Sequence, residues 1–298
     1  MVEIETGYPL SKLTTIGTGG PAAAFARPES LASLEEVLRW AEDRGLPSVV
    51  VGLGSNLLAS DAGVGALVLR LAGDLATVEL DGEILRAGGG AANAVCLHRA
   101  RAAGLGGLEF ASAIPGTAGG GVRMNAGAYG SDYAAILERA LVVSADGSGW
   151  LDAGQLELSY RHSGLRSGQV VARVEYRLTP RPPEEIKVEV AGLVARRKAT
   201  QPTNKRTFGS VFKNPGHELG AGRMIELCGL KGHRIGDAVI SPRHGNFIEN
   251  AGGATADQAI ALMTEARSRV LDRFGVVLER EVDFLGELEL PPVGTPPG

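Results

Sequence analysis

From Ala113 the chain reads Ala113-Ile114-Pro115-Gly116-Thr117-Ala118-Gly119-Gly120-Gly121-Val122-Arg123-Met124-Asn125-Ala126-Gly127-Ala128-Tyr129-Gly130. Pro115-Gly116 is a turn pair, and Gly119 to Gly121 remove every Cβ from three consecutive positions, so another molecule can lie against the main chain there. Ile114, Val122, Met124 and Tyr129 are interleaved apolar residues that would anchor the segment to a core, which argues against a free, flexible loop. Two further small-residue segments precede it, Gly17-Thr18-Gly19-Gly20-Pro21-Ala22 and Gly52-Leu53-Gly54-Ser55-Asn56. In all, 43 of 298 residues are glycine, about twice the usual share. They lack a three-residue period and sit among Val, Ile, Leu and Ala, which excludes collagen and linker compositions.

The strand end Val49-Val50-Val51-Gly52-Leu53-Gly54-Ser55-Asn56-Leu57-Leu58 invites a dinucleotide-fold reading, which fails in detail. The third glycine of G-x-G-x-x-G falls on Leu57, and no periodic helix clearly follows. What remains is a turn in which Gly52, Gly54, Ser55 and Asn56 could present N–H groups to a phosphate; taken alone, the segment fits an ordinary tight turn equally well. Three small-residue segments before about residue 130 suit one long ligand held by backbone, a dinucleotide such as FAD. No Walker A sequence is present, so an ATP-dependent P-loop is excluded.

A formal net charge of −4 argues against a nucleic-acid-coating protein. A hydrophobic share of 44% and a charged share of 21% give the ordinary globular balance. Cys96 and Cys228 lack C-x-x-C spacing and read as core residues. The five histidines show no metal-ligand spacing, so no metal is expected, and none of them is assigned to covalent flavin attachment. The N-terminus has no targeting pattern and no run of 18 apolar residues follows, so a cytoplasmic protein is expected, with no membrane, nucleic-acid or obligate protein partner.

Three regions are expected along the chain: an α/β region over 1–70, a mostly antiparallel β region over 71–180 and an α+β region over 181–298. Ser30 is positioned to cap a helix over about 31–44, stopped by Gly45. A buried strand from Pro47 runs into the Gly52 turn. Short strands are expected at Ala66–Leu71, Ala76–Leu80, Glu83–Ala87, Ala140–Val143 and Val170–Leu178, with hairpin turns at Asp81-Gly82 and Asp146-Gly147. A helix over about Ala91–Ala103 interrupts them. Pro180, Pro182 and Pro183 precede a helix over Glu184–Arg197. Then come a strand at Ser210–Phe212, a helix at Ala221–Cys228, a strand at Asn246–Glu249, a long helix capped by Thr255 and ended by Gly275, and a strand over Val276–Phe284. The residues from Pro291 to Gly298 read as a frayed tail.

Six segments in order carry a resemblance: Gly52-Leu53-Gly54-Ser55-Asn56-Leu57-Leu58, the long glycine segment, Tyr160-Arg161, Gly209-Ser210-Val211-Phe212-Lys213-Asn214-Pro215, Ala221-Gly222-Arg223-Met224-Ile225-Glu226 and Leu278-Glu279-Arg280-Glu281-Val282. The chain resembles the UDP-N-acetylenolpyruvoylglucosamine reductase family, flavoenzymes of peptidoglycan precursor synthesis, over nearly its whole length. The resemblance implies an α+β fold of the vanillyl-alcohol-oxidase type, with two subdomains enclosing non-covalent FAD and a third covering the substrate. It implies that NADPH reduces FAD and that hydride then passes to the enolpyruvyl group of a UDP-sugar, giving UDP-N-acetylmuramate. The family often has Gly at Ala113 and a small residue such as Ala at Gly121, departures that bear on loop flexibility more than on chemistry. Tyr176 leads quickly to Pro180, as in the shorter subclass that lacks a tyrosine-bearing insertion.

An enol ether resists hydride attack unless its carboxylate accepts the electrons as an enolate, so stabilising that charge is the main catalytic task. By resemblance Arg161 and Glu281 sit at the substrate carboxylate. A guanidinium binds it bidentately without losing charge, whereas an ionised Glu281 would repel it, so that carboxyl is expected to be protonated or to share a proton. Ser210 is the expected proton donor to C2. The resemblance assigns Gly52, Gly54, Ser55, Asn56, Leu57, Ile114, Pro115, Gly116, Thr117, Gly119, Gly120, Asn125, Gly127, Ala128 and Tyr129 to the cofactor. It assigns Lys213, Asn214, Arg223, Lys231, His244 and Asn246 to the substrate. Taken alone, Ser210 is more often a strand or cap hydroxyl, and Arg161 and Glu281 are more often surface charges; the motif context reverses those odds. Two alternatives remain open: a flavin oxidase on the same fold, and a silent flavin-binding module.

Overall fold

The computed structural model describes residues 2–294; the end of the expected tail, Thr295–Gly298, lies outside the described residues. Contacts group the chain into two compact units, neither continuous in sequence. The first comprises Ala23–Leu53 and Gly65–Arg197 with the residues before Gly7, and the second Gly7–Ala22, Gly54–Val64 and the chain from Lys198 onward. This grouping cuts across the three consecutive regions expected, because two early segments are bound into the C-terminal part. Leu57–Ala59 pairs in parallel with Asp283–Leu285, the Asn250 side chain donates to the Ile16 carbonyl at 2.9 Å, and Thr15 Oγ1 donates to the Thr207 carbonyl at 2.6 Å.

The first unit is built on two large sheets, with two two-stranded pairs beside them. One large sheet runs in the order Ile4–Glu5, Pro21–Ala26, Val64–Leu69, Ser48–Val50, its last pair parallel; the helix Leu31–Glu42 links Pro21–Ala26 to Ser48–Val50, the two strands either side of Val64–Leu69. The crossover helix Leu31–Glu42 begins with Ser30 and Ser33 capping each other reciprocally, and buries Leu34, Val37, Leu38 and Ala41 at helical spacing. The second sheet is antiparallel, in the order Gly147–Asp152, Leu137–Ser144, Val170–Arg177, Ile84–Gly88, Val78–Asp81. Both expected hairpins form, joining Asp81 to Ile84 and Ser144 to Gly147. The helix Asn93–Ala102 packs Cys96, Leu97 and Ala100 into the core shared with this sheet.

The segment Gly119-Gly121 is helical, part of Ala118–Arg123, and does not form the open backbone expected of it. Its glycines serve internal packing: a Cβ on Gly119 would lie 2.9 Å from the Gly89 and Val171 carbonyl oxygens, and one on Gly121 would strike the Tyr133 ring. A larger residue at Gly121 therefore requires Tyr133 to move.

In the second unit a four-stranded sheet runs Arg206–Ser210, Phe247–Asn250, Ala238–Ile240, Arg234–Ile235. The helix Ala256–Phe274 covers a core that includes Phe208, Phe212, Met224, Ile248 and Met263. Thr255 and Gln258 form its capping box, and Gly275 ends it at φ 66°. Two expected strands differ. The one placed at Ser210–Phe212 lies at Arg206–Ser210, and Val276–Phe284 reduces to Asp283–Leu285. Residues 279–281 instead run past the Val211–Lys213 segment, making a single bridge between Phe212 and Arg280. Among the described residues no helix is long and apolar enough to cross a membrane.

Candidate active site

In the first unit, two turns face each other. The strand Ser48–Val50 ends with Val51 N–H on the Leu69 carbonyl, after which the chain turns at Gly52. A Cβ there would lie 2.7 Å from Thr117 Oγ1, the atom that accepts from Gly120 N–H and caps the short helix. The main-chain N–H groups of Gly52, Leu53, Gly116 and Thr117 make no hydrogen bond among the described residues. Val50–Leu53, Arg70, Leu71, Gly89, Gly90 and Thr117 line a cleft at this point. Unspent main-chain donors and one guanidinium suit a diphosphate, so these residues fit the anionic middle of a dinucleotide such as FAD. Arg70, Gly89 and Gly90 were not singled out in the sequence. The run Gly88-Gly89-Gly90 after a strand was the available signal, and Arg70 has none locally.

Arg161 projects from a two-residue turn closed by reciprocal bonds between Ser159 and His162, each 3.1 Å. Its φ of 55° is left-handed, as are those of Asn125 (36°) and Tyr129 (55°), a cluster of strained backbone of the kind found at functional sites. The guanidinium donates to the Gly127 carbonyl at 2.6 Å and stacks 4.9 Å from the Tyr160 ring. Asn125 is buried, and its amide holds the turn in place: Nδ2 donates to the Ser159 carbonyl at 2.9 Å, and Oδ1 accepts from Ala134 N–H at 2.9 Å. Asn125 thus works inside the protein and supports the arginine. Ala128 pairs with Ser131 in a small hairpin, and the Tyr129 hydroxyl donates to the Leu193 carbonyl while Arg196 lies over its ring at 5.1 Å. The Ile114 carbonyl, before Pro115, accepts from the Asn93 side chain at 3.2 Å.

Gly54, Ser55, Asn56 and Leu57, assigned to the cofactor by resemblance, group with the second unit. Gly54 has a φ of 65° and lies so close to Leu13 that no side chain fits. Asn56 Nδ2 donates to the Glu281 carbonyl at 3.2 Å, and Leu57 pairs with Asp283. Ser210 ends the strand Arg206–Ser210, opposite Phe247. A bulge between Thr207 and Ser210 contains Gly209 at φ 80°, where a Cβ would lie 3.1 Å from the Ser55 carbonyl oxygen. Beyond Ser210, Glu281 N–H donates to the Val211 carbonyl at 2.8 Å and Lys213 N–H to the Glu279 carbonyl at 2.9 Å, which brings Ser210, Lys213 and Glu281 onto adjoining segments. Asn214 Oδ1 accepts from Ala221 N–H at 3.1 Å.

Arg223, Lys231 and His244 surround Glu226. Arg223 pairs with it at 3.1 Å and Lys231 at 3.7 Å, and the Arg223 hydrogen bond chiefly holds the Glu226 carboxyl below its ordinary value. Burial, then the nearby Lys231 charge, push the His244 imidazole down. A Cβ on Gly222 would lie 2.7 Å from His244 Cε1, so glycine lets the helix Ala221–Leu227 approach the ring. Asn246 is buried, with both ends of its amide spent on Phe212.

Residues 22–150 match the family described as FAD binding domain, and residues 201–285 match the UDP-N-acetylenolpyruvoylglucosamine reductase C-terminal domain. The chain is thus an FAD flavoprotein oxidoreductase. A relative from Symbiobacterium thermophilum, UDP-N-acetylenolpyruvoylglucosamine reductase 2, is 44% identical over 95% of this chain and 92% of its own. One from Anaeromyxobacter dehalogenans is 45% identical over 94% and 84%. The solved UDP-N-acetylenolpyruvylglucosamine reductase of Thermus caldophilus, 37% identical, superposes with a TM-score of 0.84 over 96% of this chain and all of that one. The chain belongs to the UDP-N-acetylenolpyruvoylglucosamine reductase family.

Proposed function

We propose that this chain reduces the enolpyruvyl group of UDP-N-acetylenolpyruvoylglucosamine to UDP-N-acetylmuramate, with NADPH as reductant. The carrying observation is that relatives named for this reaction match along about 95% of the chain, through both the FAD-binding and the C-terminal family regions. The chemistry that FAD supplies when bound is two-electron hydride transfer, from NADPH and then to the terminal vinyl carbon C3.

The protein's own task is the charge and the proton. An electron pair displaced onto C2 and the carboxylate needs a fixed cation, and Arg161 supplies it through a planar guanidinium able to bind a carboxylate bidentately. Glu281 shares a proton with the same carboxylate, and Ser210 delivers its hydroxyl proton to C2, recovering one from solvent afterwards. Arg223, Lys231 and His244 hold the nucleotide phosphates, with Lys213 as a further cation. Asn214 orients the start of the helix that carries Arg223. The main-chain donors at Gly52, Leu53, Gly116 and Thr117, with Arg70, hold the cofactor diphosphate.

Purified protein bleached by NADPH without oxygen tests the reading. Addition of the enolpyruvyl UDP-sugar should restore the flavin colour; failure to do so would leave an oxidase or a silent flavin module. Ser210→Ala should keep the NADPH step and lose most turnover with the sugar, and equal loss of both steps would make Ser210 structural.

A further inference from the structure

Asn246 offers three hydrogen-bonding groups to the two residues that follow Ser210. Its main-chain carbonyl accepts from Val211 N–H at 2.9 Å. Its side-chain Oδ1 accepts from Phe212 N–H at 2.9 Å, and Nδ2 donates to the Phe212 carbonyl at 2.7 Å. The residue is 4% exposed and Phe212 1%, so these bonds lie out of water, where an unmade partner is costly. The ladder between Arg206–Ser210 and Phe247–Asn250 ends at the pair Ser210 and Phe247, and the primary amide then presents the same donor and acceptor pattern as a strand would. Residues 279–281 grip the other side of the segment through the bonds to Val211 and Lys213.

We propose that Asn246 is a positioning residue for proton delivery: it acts as a side-chain substitute for a strand, fixing the backbone after Ser210 and thereby the direction of the Ser210 hydroxyl. This rests on the function proposed above and replaces the expectation that Asn246 contacts substrate. Both amide ends already bond Phe212 and the residue is 4% exposed, so little of the amide is open to a substrate.

Asn246→Asp is the sharp test, because it keeps the shape and the acceptor for Phe212 N–H but turns the donor facing the Phe212 carbonyl into a second acceptor. FAD content and the rate of bleaching by NADPH should match the wild type. The rate of re-oxidation by the UDP-sugar should fall about 10- to 100-fold, with little change in KM, and a solvent deuterium isotope effect on that step should grow as proton delivery becomes limiting. Amide exchange over residues 208–214 should quicken while the helix Ala256–Phe274 keeps its protection. Asn246→Ala should give the same pattern more strongly.

A raised KM with unchanged turnover would make Asn246 a substrate contact and overturn the proposal. So would equal loss of both half-reactions, or unchanged exchange over 208–214. A wild type that the sugar does not re-oxidise overturns the proposed function itself, whereas a wild type that works beside a variant with normal re-oxidation overturns only the role of Asn246.

Discussion

Gly52 and Thr117 stand so close that a single added carbon on the glycine would lie 2.7 Å from the threonine hydroxyl oxygen. The two turns that present the unspent N–H groups are therefore spaced by the absence of one methyl. Gly52→Ala should force them apart, costing about 1–3 kcal/mol of strain and lowering bound flavin, read from the visible absorbance per mole of protein. Gly65→Ala, where a Cβ meets nothing within 4 Å and φ is not left-handed, should leave flavin content unchanged. Equal flavin loss in both variants would show that Gly52 has no special place in the cleft.

At Arg161, Lys keeps the charge but loses the planar fork. Arg161→Lys should bind FAD and take electrons from NADPH normally, while turnover with the UDP-sugar drops on the order of 10²-fold. Stopped-flow traces of the two half-reactions separate these effects, and a lysine variant with wild-type turnover would remove bidentate carboxylate binding from the mechanism.

Asn125 is 1% exposed and bonds both the Ser159 carbonyl and Ala134 N–H. Asn125→Ala strands both groups in the interior and places alanine at φ 36°, a conformation that asparagine tolerates better. A loss of roughly 2–4 kcal/mol is expected, visible as a Tm lower by several degrees. Asn125→Gly relieves the backbone term alone and should fall between the two. A Tm for the alanine variant equal to that of the wild type would mean that the Arg161 turn is held by other contacts.

His244 gives the pH dependence a definite sign. Burial and Lys231 lower its folded value below the ordinary 6.5, so the unfolded chain takes up the proton first. The contribution is complete above about pH 6.5 and is lost as the pH falls through the lower folded value. Protonation also removes the Nδ1 lone pair that accepts from Asn246 N–H at 3.2 Å. Denaturant midpoints of wild type and His244→Gln, measured from pH 7.5 downward, should converge on acidification. A constant difference between them would remove His244 from the acid response.

What the sequence made legible is what neighbours in the chain decide. Ser30, Thr255 and Gly275 mark helix ends because a cap is satisfied within three or four residues, and Asp81-Gly82 turns its hairpin for the same local reason. The stretch from Val276 looks like one long strand, yet apart from a single bridge at Arg280 only Asp283–Leu285 forms a ladder, because its partner Leu57–Ala59 is far away in sequence and three residues long. The motif segments point to Arg161, Ser210 and Glu281: Arg161 sits on a left-handed turn, and Ser210 and Glu281 on adjoining backbone. Asn125 and Asn246 read as ligand contacts, since a polar amide near a motif looks the same whether it faces solvent or Phe212. Gly119 and Gly121 misled in the opposite way: glycine that admits a ligand and glycine that admits Tyr133 share one letter.

The pairing of Leu57–Ala59 with Asp283–Leu285 also sets an order of events during synthesis. Asn56 and Glu281 are 225 residues apart, roughly 10 to 45 s of ribosome time. The first unit is complete once Arg197 has been made, so its cofactor turns can form while the rest of the chain is still being translated. The second unit must wait, with a bare strand edge at Leu57–Ala59 open to unwanted partners, until translation has passed Leu285. A nascent chain halted before Asp283 would leave that edge exposed, which gives a translating cell a reason to finish this protein quickly or to shield it.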